Sequence, residues 1–203
     1  MSSPCDPRHA PAGDVDGALM VIDSRLKAVH DGRTGTDPER QKLLDQYTAS
    51  LDLEGVHDLL DGACTLVFMF MKWLRGVHEG RDRDVIGHVV PSLVTTLRMM
   101  PRSVSPEAIP TMAGLVIAAG TGLSPSLWRR PYGEWTKEEM TALEATALLL
   151  AEHVNRIAGD RDFATRMIAE ALSRAEGEAA AGADGGPGSD PSWGGGGGGG
   201  GGE

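Results

Sequence analysis

The chain has 203 residues and a formal net charge of −10 at pH 7, because 29 acidic side chains outnumber 19 basic ones. This balance argues against sequence-independent binding to nucleic acid and against docking on anionic membranes, which both need clustered Lys and Arg. Cys5 and Cys64 lie in unlike settings and indicate no disulfide framework, and no secretory signal is visible, so we expect a cytoplasmic protein.

Both ends of the chain are predicted to be disordered. Residues 176–203 contain fourteen of the 28 glycines, nine of them consecutive from Gly194, with five acidic residues and no Lys or Arg. Such a segment has almost nothing apolar to bury and loses much backbone entropy on ordering, which predicts a disordered acidic tail. Residues 1–13 are predicted to be a disordered N-terminal arm. One domain, residues 14–175, remains between them and is long enough to bury a core.

Within this domain the apolar residues recur at spacings of three and four, which predicts helices throughout. The capping box from Thr136 to Glu139 and the stop at Gly159 are examples of the signals that set helix ends. No run of alternating residues indicates a strand. The predicted fold class is therefore all-α, a helical bundle of about seven helices. These helices span 14–31, 38–51, 52–78, 84–100, 105–120, 136–158 and 160–174.

The predicted helix 52–78 carries an uncharged run from Gly62 to Met71. A helix that is apolar all round usually lies at the centre of its bundle. The run is too short to span a membrane. We therefore expect one long central apolar helix, with Phe70 deep in the core.

The start of this helix holds three weak metal-ligand candidates. Glu54 and His57 have the Glu-x-x-His spacing of di-iron bundles, and Asp61 lies four residues beyond His57 on the same helical face. Di-iron sites need two such motifs and two further Glu, whereas the sequence has one. The alternative is a solvated helix face, and no metal or cofactor is assigned.

Residues 108–128 lack charged side chains and are long enough to cross a bilayer. The same stretch contains Pro110, Pro125 and three glycines, which lower its mean hydropathy. We expect a buried core helix followed by a turn, with association with a membrane as the alternative.

The segment 122–135 concentrates aromatic and arginine side chains, the types that dominate binding hot spots. One interpretation is a surface that binds a partner. The other is a structural loop whose rings cover the ends of the neighbouring helices, with the arginine head groups left in solvent. The candidate residues are Trp128, Arg129, Arg130, Tyr132 and Trp135.

The predicted helix 136–158 carries an apolar stripe with a regular 3-4 spacing. The stripe predicts either an internal face of the bundle or a contact with a protein partner or second copy through residues 140–157. Its members are Met140, Leu143, Ala147, Leu150, Val154 and Ile157.

The remaining histidines give no sign of a shared site. His78 and His153 each neighbour a glutamate in the sequence, and adjacent residues point in different directions on a helix. His88 lies among apolar residues and is expected to be a partly buried core histidine.

No nucleophile elbow, phosphate-binding loop or dinucleotide fingerprint is present in the sequence. These absences favour a non-enzymatic interaction or regulatory protein. A bundle that binds a small apolar ligand or a metal is the second hypothesis, suggested by the Met-rich central helix beside His57 and Asp61. A DNA-binding regulator is the third, because the helix pairs lack an evident basic recognition helix.

Overall fold

The computed structural model describes residues 12–31, 39, 42, 46 and 49–183. These residues form α-helices and two short 3₁₀ helices, Pro106–Ala108 and Arg130–Tyr132, and they contain no strand. The predicted all-α fold is confirmed. The α-helices are α1 (Ala12–His30), α2 (Leu53–Glu79), α3 (Val85–Arg98), α4 (Ile109–Gly120), α5 (Pro125–Arg129), α6 (Lys137–Ala158) and α7 (Phe163–Ala183).

Helix α2 is the centre of the bundle, as predicted, and each of the other six α-helices contacts it. Its most extensive contacts are with α1, α4 and α6. Five apolar side chains in the middle of α2 are fully buried, and full burial of one such side chain contributes about 1.5–3 kcal/mol. The fully buried residues there are Leu66, Val67, Phe70, Met71 and Leu74.

Side chains fix several helix ends where the sequence predicts them. The Asp52 carboxylate accepts a hydrogen bond from the Gly55 amide at 2.9 Å and caps α2. Thr136 and Glu139 form the predicted capping box at the start of α6. Gly159 ends α6 with a φ of 71°, a left-handed conformation that costs glycine little.

The last helix is longer than predicted. We expected it to end near Arg174, but α7 continues to Ala183. The residues from 175 to 183 are mostly Ala and Glu, which are strong helix formers, and these outweigh Gly177 and Gly182. Residues 176–183 therefore belong to α7 and not to the predicted disordered tail. At the other end, Ala12 and Gly13 belong to α1 and not to the predicted disordered arm 1–13. Residues 1–11 and 184–203 lie outside the described residues, so disorder there stays a prediction.

Two further predicted segments differ from a single described helix. The predicted helix 38–51 falls mostly outside the described residues, although residues 39, 42, 46, 49 and 50 are helical. The uncharged stretch 108–128 is divided between the end of a 3₁₀ turn, α4 and α5. No helix in the described part of the chain is long and apolar enough to cross a membrane.

Candidate functional site

The aromatic and arginine segment folds into α5 and the 3₁₀ turn Arg130–Tyr132, where we expected a loop. Trp128 lies against the backbone of α4. A Cβ atom added at Gly114 would be 2.2 Å from Cη2 of Trp128, so only glycine leaves room for the ring. The ring centroids of Trp128 and Tyr132 are 5.1 Å apart. Trp128 is half-buried, and Tyr132 stays exposed.

Arg129 is buried, which contradicts the expectation that its head group is solvated. Only 3% of its surface is exposed. Its guanidinium donates to the carbonyl oxygens of Gly133 and Glu134 at 2.9 and 3.0 Å, and to Glu139 Oε2 at 2.6 Å. Its Cζ atom lies 4.9 Å from the centroid of the Trp135 ring. These contacts fix the backbone that connects α5 to α6.

Glu139 connects three elements around Arg129. Its carboxylate accepts hydrogen bonds from Arg129, from the Thr136 amide at 3.1 Å and from the Thr111 hydroxyl of α4 at 3.1 Å. Burial alone would raise the pKa of this carboxyl, but the three hydrogen bonds outweigh burial and hold the pKa below its ordinary value. Glu139 is therefore a charged acceptor at neutral pH.

The outer side of the same segment carries exposed side chains, which we call the α5 surface: Leu123, Leu127, Arg130 and Tyr132. The three hydrophobic members are 58%, 45% and 66% exposed, respectively. Arg130 is also exposed and forms no ion pair with any carboxylate of the described residues. Of the five sequence candidates, Arg130 and Tyr132 thus face solvent, while Trp128, Arg129 and Trp135 pack inward.

The metal-ligand candidates do not converge. His57 Nε2 lies 3.1 Å from Glu134 Oε2, so its partner is on the α5–α6 connection. Glu54 and Asp61 are exposed on α2. No group of three His, Cys, Asp or Glu side chains among the described residues is placed to hold a metal ion.

The apolar stripe of α6 packs inside the chain. Leu143, Ala147, Leu150 and Val154 are buried against the rest of the bundle, and Met140 and Ile157 are half-buried. A homodimer through residues 140–157 would therefore have to use other side chains of α6. Of the two interpretations, the structure supports the internal face.

Three histidines that the sequence did not connect lie close together. The His78 and His88 ring centroids are 5.4 Å apart in an edge-on arrangement. His88 is exposed, contrary to expectation, and its Nε2 lies 3.5 Å from Nη1 of Arg83. His78 is only 6% exposed, and neither of its ring nitrogens has a hydrogen-bond partner.

This histidine cluster, His78, His88 and His153, lies in a locally positive environment. Burial, followed by the charges of His88 and Arg83, lowers the pKa of His78. Burial, followed by Arg156 and His78, also lowers the pKa of His153. The neutral forms of His78 and His153 are therefore favoured in the folded protein.

A cleft of about 160 Å³ opens between α3 and α6 beside His153. We call it the α3–α6 cleft. Aliphatic side chains form part of its wall, and hydroxyl and charged groups form the rest. The lining residues are Val89, Ser92, Leu93, Thr96, Leu149, Leu150, Glu152, His153 and Arg156. No spacing rule could have found this cleft, because its two walls are more than fifty residues apart in the sequence.

The fold and these surfaces define a helical bundle with a rigid exposed apolar surface at α5 and a histidine cluster beside a small cleft. Neither the family models, nor the curated proteins, nor the solved structures compared with this chain gave a match.

Proposed function

We propose that this chain is a non-enzymatic interaction protein that binds a protein partner through the α5 surface. The observation that carries the proposal is the concentration of exposed apolar side chains on this segment. Leu123, Leu127 and Tyr132 are three of the seven large hydrophobic side chains that are exposed among the described residues. Their clustering within ten residues is typical of an interaction site, whereas scattered exposed hydrophobics are ordinary.

The rigidity of the segment supports the same proposal. Arg129 holds the backbone of residues 133 and 134, and Trp128 is fitted against Gly114. A surface that is already ordered loses little conformational entropy on binding. Tyr132 and Arg130 are also residue types that supply much of the energy in protein interfaces. The complementary partner has an apolar surface with a carboxylate opposite Arg130.

The filled centre of the bundle also favours this proposal over the second hypothesis. The apolar residues of α2 that suggested a small apolar ligand are packed, with Phe70 and Met71 fully buried. His57 pairs with Glu134. Among the described residues, no three His, Cys, Asp or Glu side chains are close enough to hold a metal ion. The third hypothesis, a DNA-binding regulator, needs clustered Lys and Arg, and the α5 surface has only one basic residue, Arg130.

The test compares two triple variants of the full chain. Leu123→Ser, Leu127→Ser and Tyr132→Ser remove the apolar part of the α5 surface. Met20→Ser, Val29→Ser and Met99→Ser form the matched control, because these side chains are 46%, 57% and 70% exposed elsewhere. Both variants should stay folded by circular dichroism, since exposed substitutions rarely change stability by more than about 0.5 kcal/mol each.

Quantitative mass spectrometry of affinity-purified protein, with light scattering of the pure chain, then provides the readout. We expect one protein to be retained by the parent and by the control triple, and to be depleted at least ~10-fold from the α5 triple. If self-association follows the same pattern, the partner is a second copy. Equal recovery of every bound protein from both triples, with no change in oligomeric state, would show that α5 is not an interaction surface.

A further inference from the structure

The α3–α6 cleft is lined in part by Arg156, an exposed arginine without an acidic partner among the described residues. Arg156 contacts no carboxylate of the described residues within ion-pair distance. Its Nη2 atom lies 2.6 Å from Nδ1 of His153. Because a guanidinium only donates, Nδ1 is the acceptor and the neutral ring carries its proton on Nε2. Two basic side chains therefore face each other with no anion between them.

One acidic side chain, Glu152, also lines the cleft. Its Oε2 atom is buried without a hydrogen-bond partner and lies 3.3 Å from Nε2 of His30 on α1, within ion-pair distance. On the opposite wall, Ser92 supplies a hydroxyl, and Thr96 donates its own hydroxyl proton to the Ser92 carbonyl at 2.9 Å. The cleft thus offers a guanidinium and a hydroxyl as donors to an incoming acceptor.

A second polar group without a partner lies near the cleft, although it is not part of the cleft lining. His78, within interaction range of His153, is more than nine-tenths buried with both ring nitrogens unpartnered. Arg81 and Arg83 act on His78 as positive charges, and Asp84 acts on it as a negative charge. Asp84 itself caps α3 through the amides of residues 86 and 87. Positive groups therefore outnumber available carboxylates here, although the whole chain is acidic.

We propose that the α3–α6 cleft binds a small organic monocarboxylate through Arg156, Ser92 and His153. The size follows from the volume of the cleft, about 160 Å³, because a cavity near 150 Å³ holds a benzene-sized body. Leu93, Leu149 and their aliphatic neighbours would contact that body. The carboxylate would receive the guanidinium of Arg156 in a two-pronged contact.

The lining selects against more highly charged anions. Phosphate has no apolar part to place against the leucines of the lining. A monocarboxylate matches one guanidinium and one hydroxyl, with an apolar body on the opposite side. The site is separate from the α5 surface and does not depend on the function proposed for it.

Binding should be coupled to proton uptake. When a carboxylate takes the guanidinium of Arg156, Nδ1 of His153 loses its donor and becomes free to accept a proton. The protonated ring can then pair with the bound carboxylate. The charged or titratable groups that act on His153 are Arg156 on α6 and His78 on α2. Glu152 on α6 lines the same cleft and faces His30 on α1.

The test titrates the full chain with sodium benzoate, with neutral benzamide and with inorganic phosphate. Calorimetry in two buffers of different ionisation enthalpy reports affinity and proton uptake together. We expect saturable benzoate binding with proton uptake and a rise in the pKa of His153 in NMR titrations. Arg156→Gln should lower benzoate affinity at least ~10-fold, the loss typical of one charged hydrogen bond, whereas the exposed Arg174→Gln should not.

Several results would overturn the proposal. Benzamide binding as tightly as benzoate would show that the carboxylate is not recognised. Phosphate binding more tightly than benzoate would make the ligand class wrong. Undiminished benzoate binding by Arg156→Gln, or no binding by the parent, would remove the site. If Arg156→Gln does not fold, Leu149→Phe, which fills the apolar end of the cleft, should abolish benzoate binding in its place.

Discussion

Burial of a charged side chain is costly unless other groups replace its lost hydration. Arg129 is buried, and protein groups take the place of water around it. Three oxygen acceptors and the face of Trp135 surround its guanidinium, and Glu139 supplies the opposite charge. Removing one member of a buried ion pair typically costs about 3–5 kcal/mol, because the other charge is left without compensation. The adjacent Arg130 has none of these contacts and is exposed.

We predict that Arg129→Ala lowers the free energy of unfolding by about 3–5 kcal/mol. Arg130→Ala should change it by less than about 0.5 kcal/mol and is the control. Urea denaturation of both variants measures the difference. Equal stability of the two variants would mean that the Arg129 contacts do not hold the segment in solution.

The sequence did not distinguish these neighbouring arginines. Local composition indicated that residues 128–135 are unusual, but burial depends on α4 and α6, which approach the segment only in the folded chain. The contact between Trp128 and Gly114 also forms only in the folded chain, because the two residues are fourteen positions apart in the sequence. The sequence could therefore predict that these aromatic and arginine side chains matter. It could not predict which of them are buried and which are exposed.

At the scale of helices, local signals predicted most of the fold. Caps at Asp52 and Thr136 and the stop at Gly159 act within one turn, so the sequence alone is sufficient to place them. The short helix α5 was not predicted, because the segment 122–135 was interpreted as a loop. It begins at Pro125 with a Ser124 cap, a start signal that the sequence contains.

The end of α7 was also misjudged, and its extension can be tested. Leu172 is the last buried side chain of the described residues in α7, at 4% exposed, and residues 173–177 are half-buried or exposed. We predict that ending the chain after Ala175 shifts the melting temperature by less than about 3 °C, about 1 kcal/mol for a domain of this size. Differential scanning calorimetry of the truncated chain measures the shift.

The control for this truncation is Leu172→Ala, which should cost about 2–5 kcal/mol as a large-to-small change in the core. A larger shift for the truncated chain than for Leu172→Ala would show that residues beyond 175 dock on the bundle.

At the scale of the whole molecule, net charge is a poor guide to local charge. The chain carries −10 overall, yet Arg81 and Arg83 act on His78 as positive charges, and Arg156 acts on the nearby His153. Helices α2, α3 and α6 each contribute one histidine to this cluster. Spacing rules describe one helix at a time, so no reading of the sequence could bring the three together.

The cluster makes the stability of the molecule depend on pH. The folded state lowers the pKa of His78 and His153 from the ordinary value of 6.5, so it favours their neutral forms. The histidines of the unfolded chain bind protons more readily than those of the folded chain. Lowering the pH therefore stabilises the unfolded state more than the folded state. The contribution of His78 and His153 to the free energy of unfolding is therefore largest above pH 6.5, and it is lost progressively as the pH falls below that value.

We therefore predict that the free energy of unfolding falls as the pH is lowered from about 7 to about 5, by at most ~1.4 kcal/mol per pH unit for each histidine. Urea denaturation across this range measures the slope. His78→Phe keeps an aromatic ring of similar size but cannot take up a proton, so its slope should be shallower than that of the parent. The Glu139 carboxyl does not interfere, because its lowered pKa places its own loss of stability at more acidic pH. Identical slopes for parent and variant would show that protonation of His78 does not lower the stability of the folded state. Some group outside the described contacts would then compensate the charge of His78.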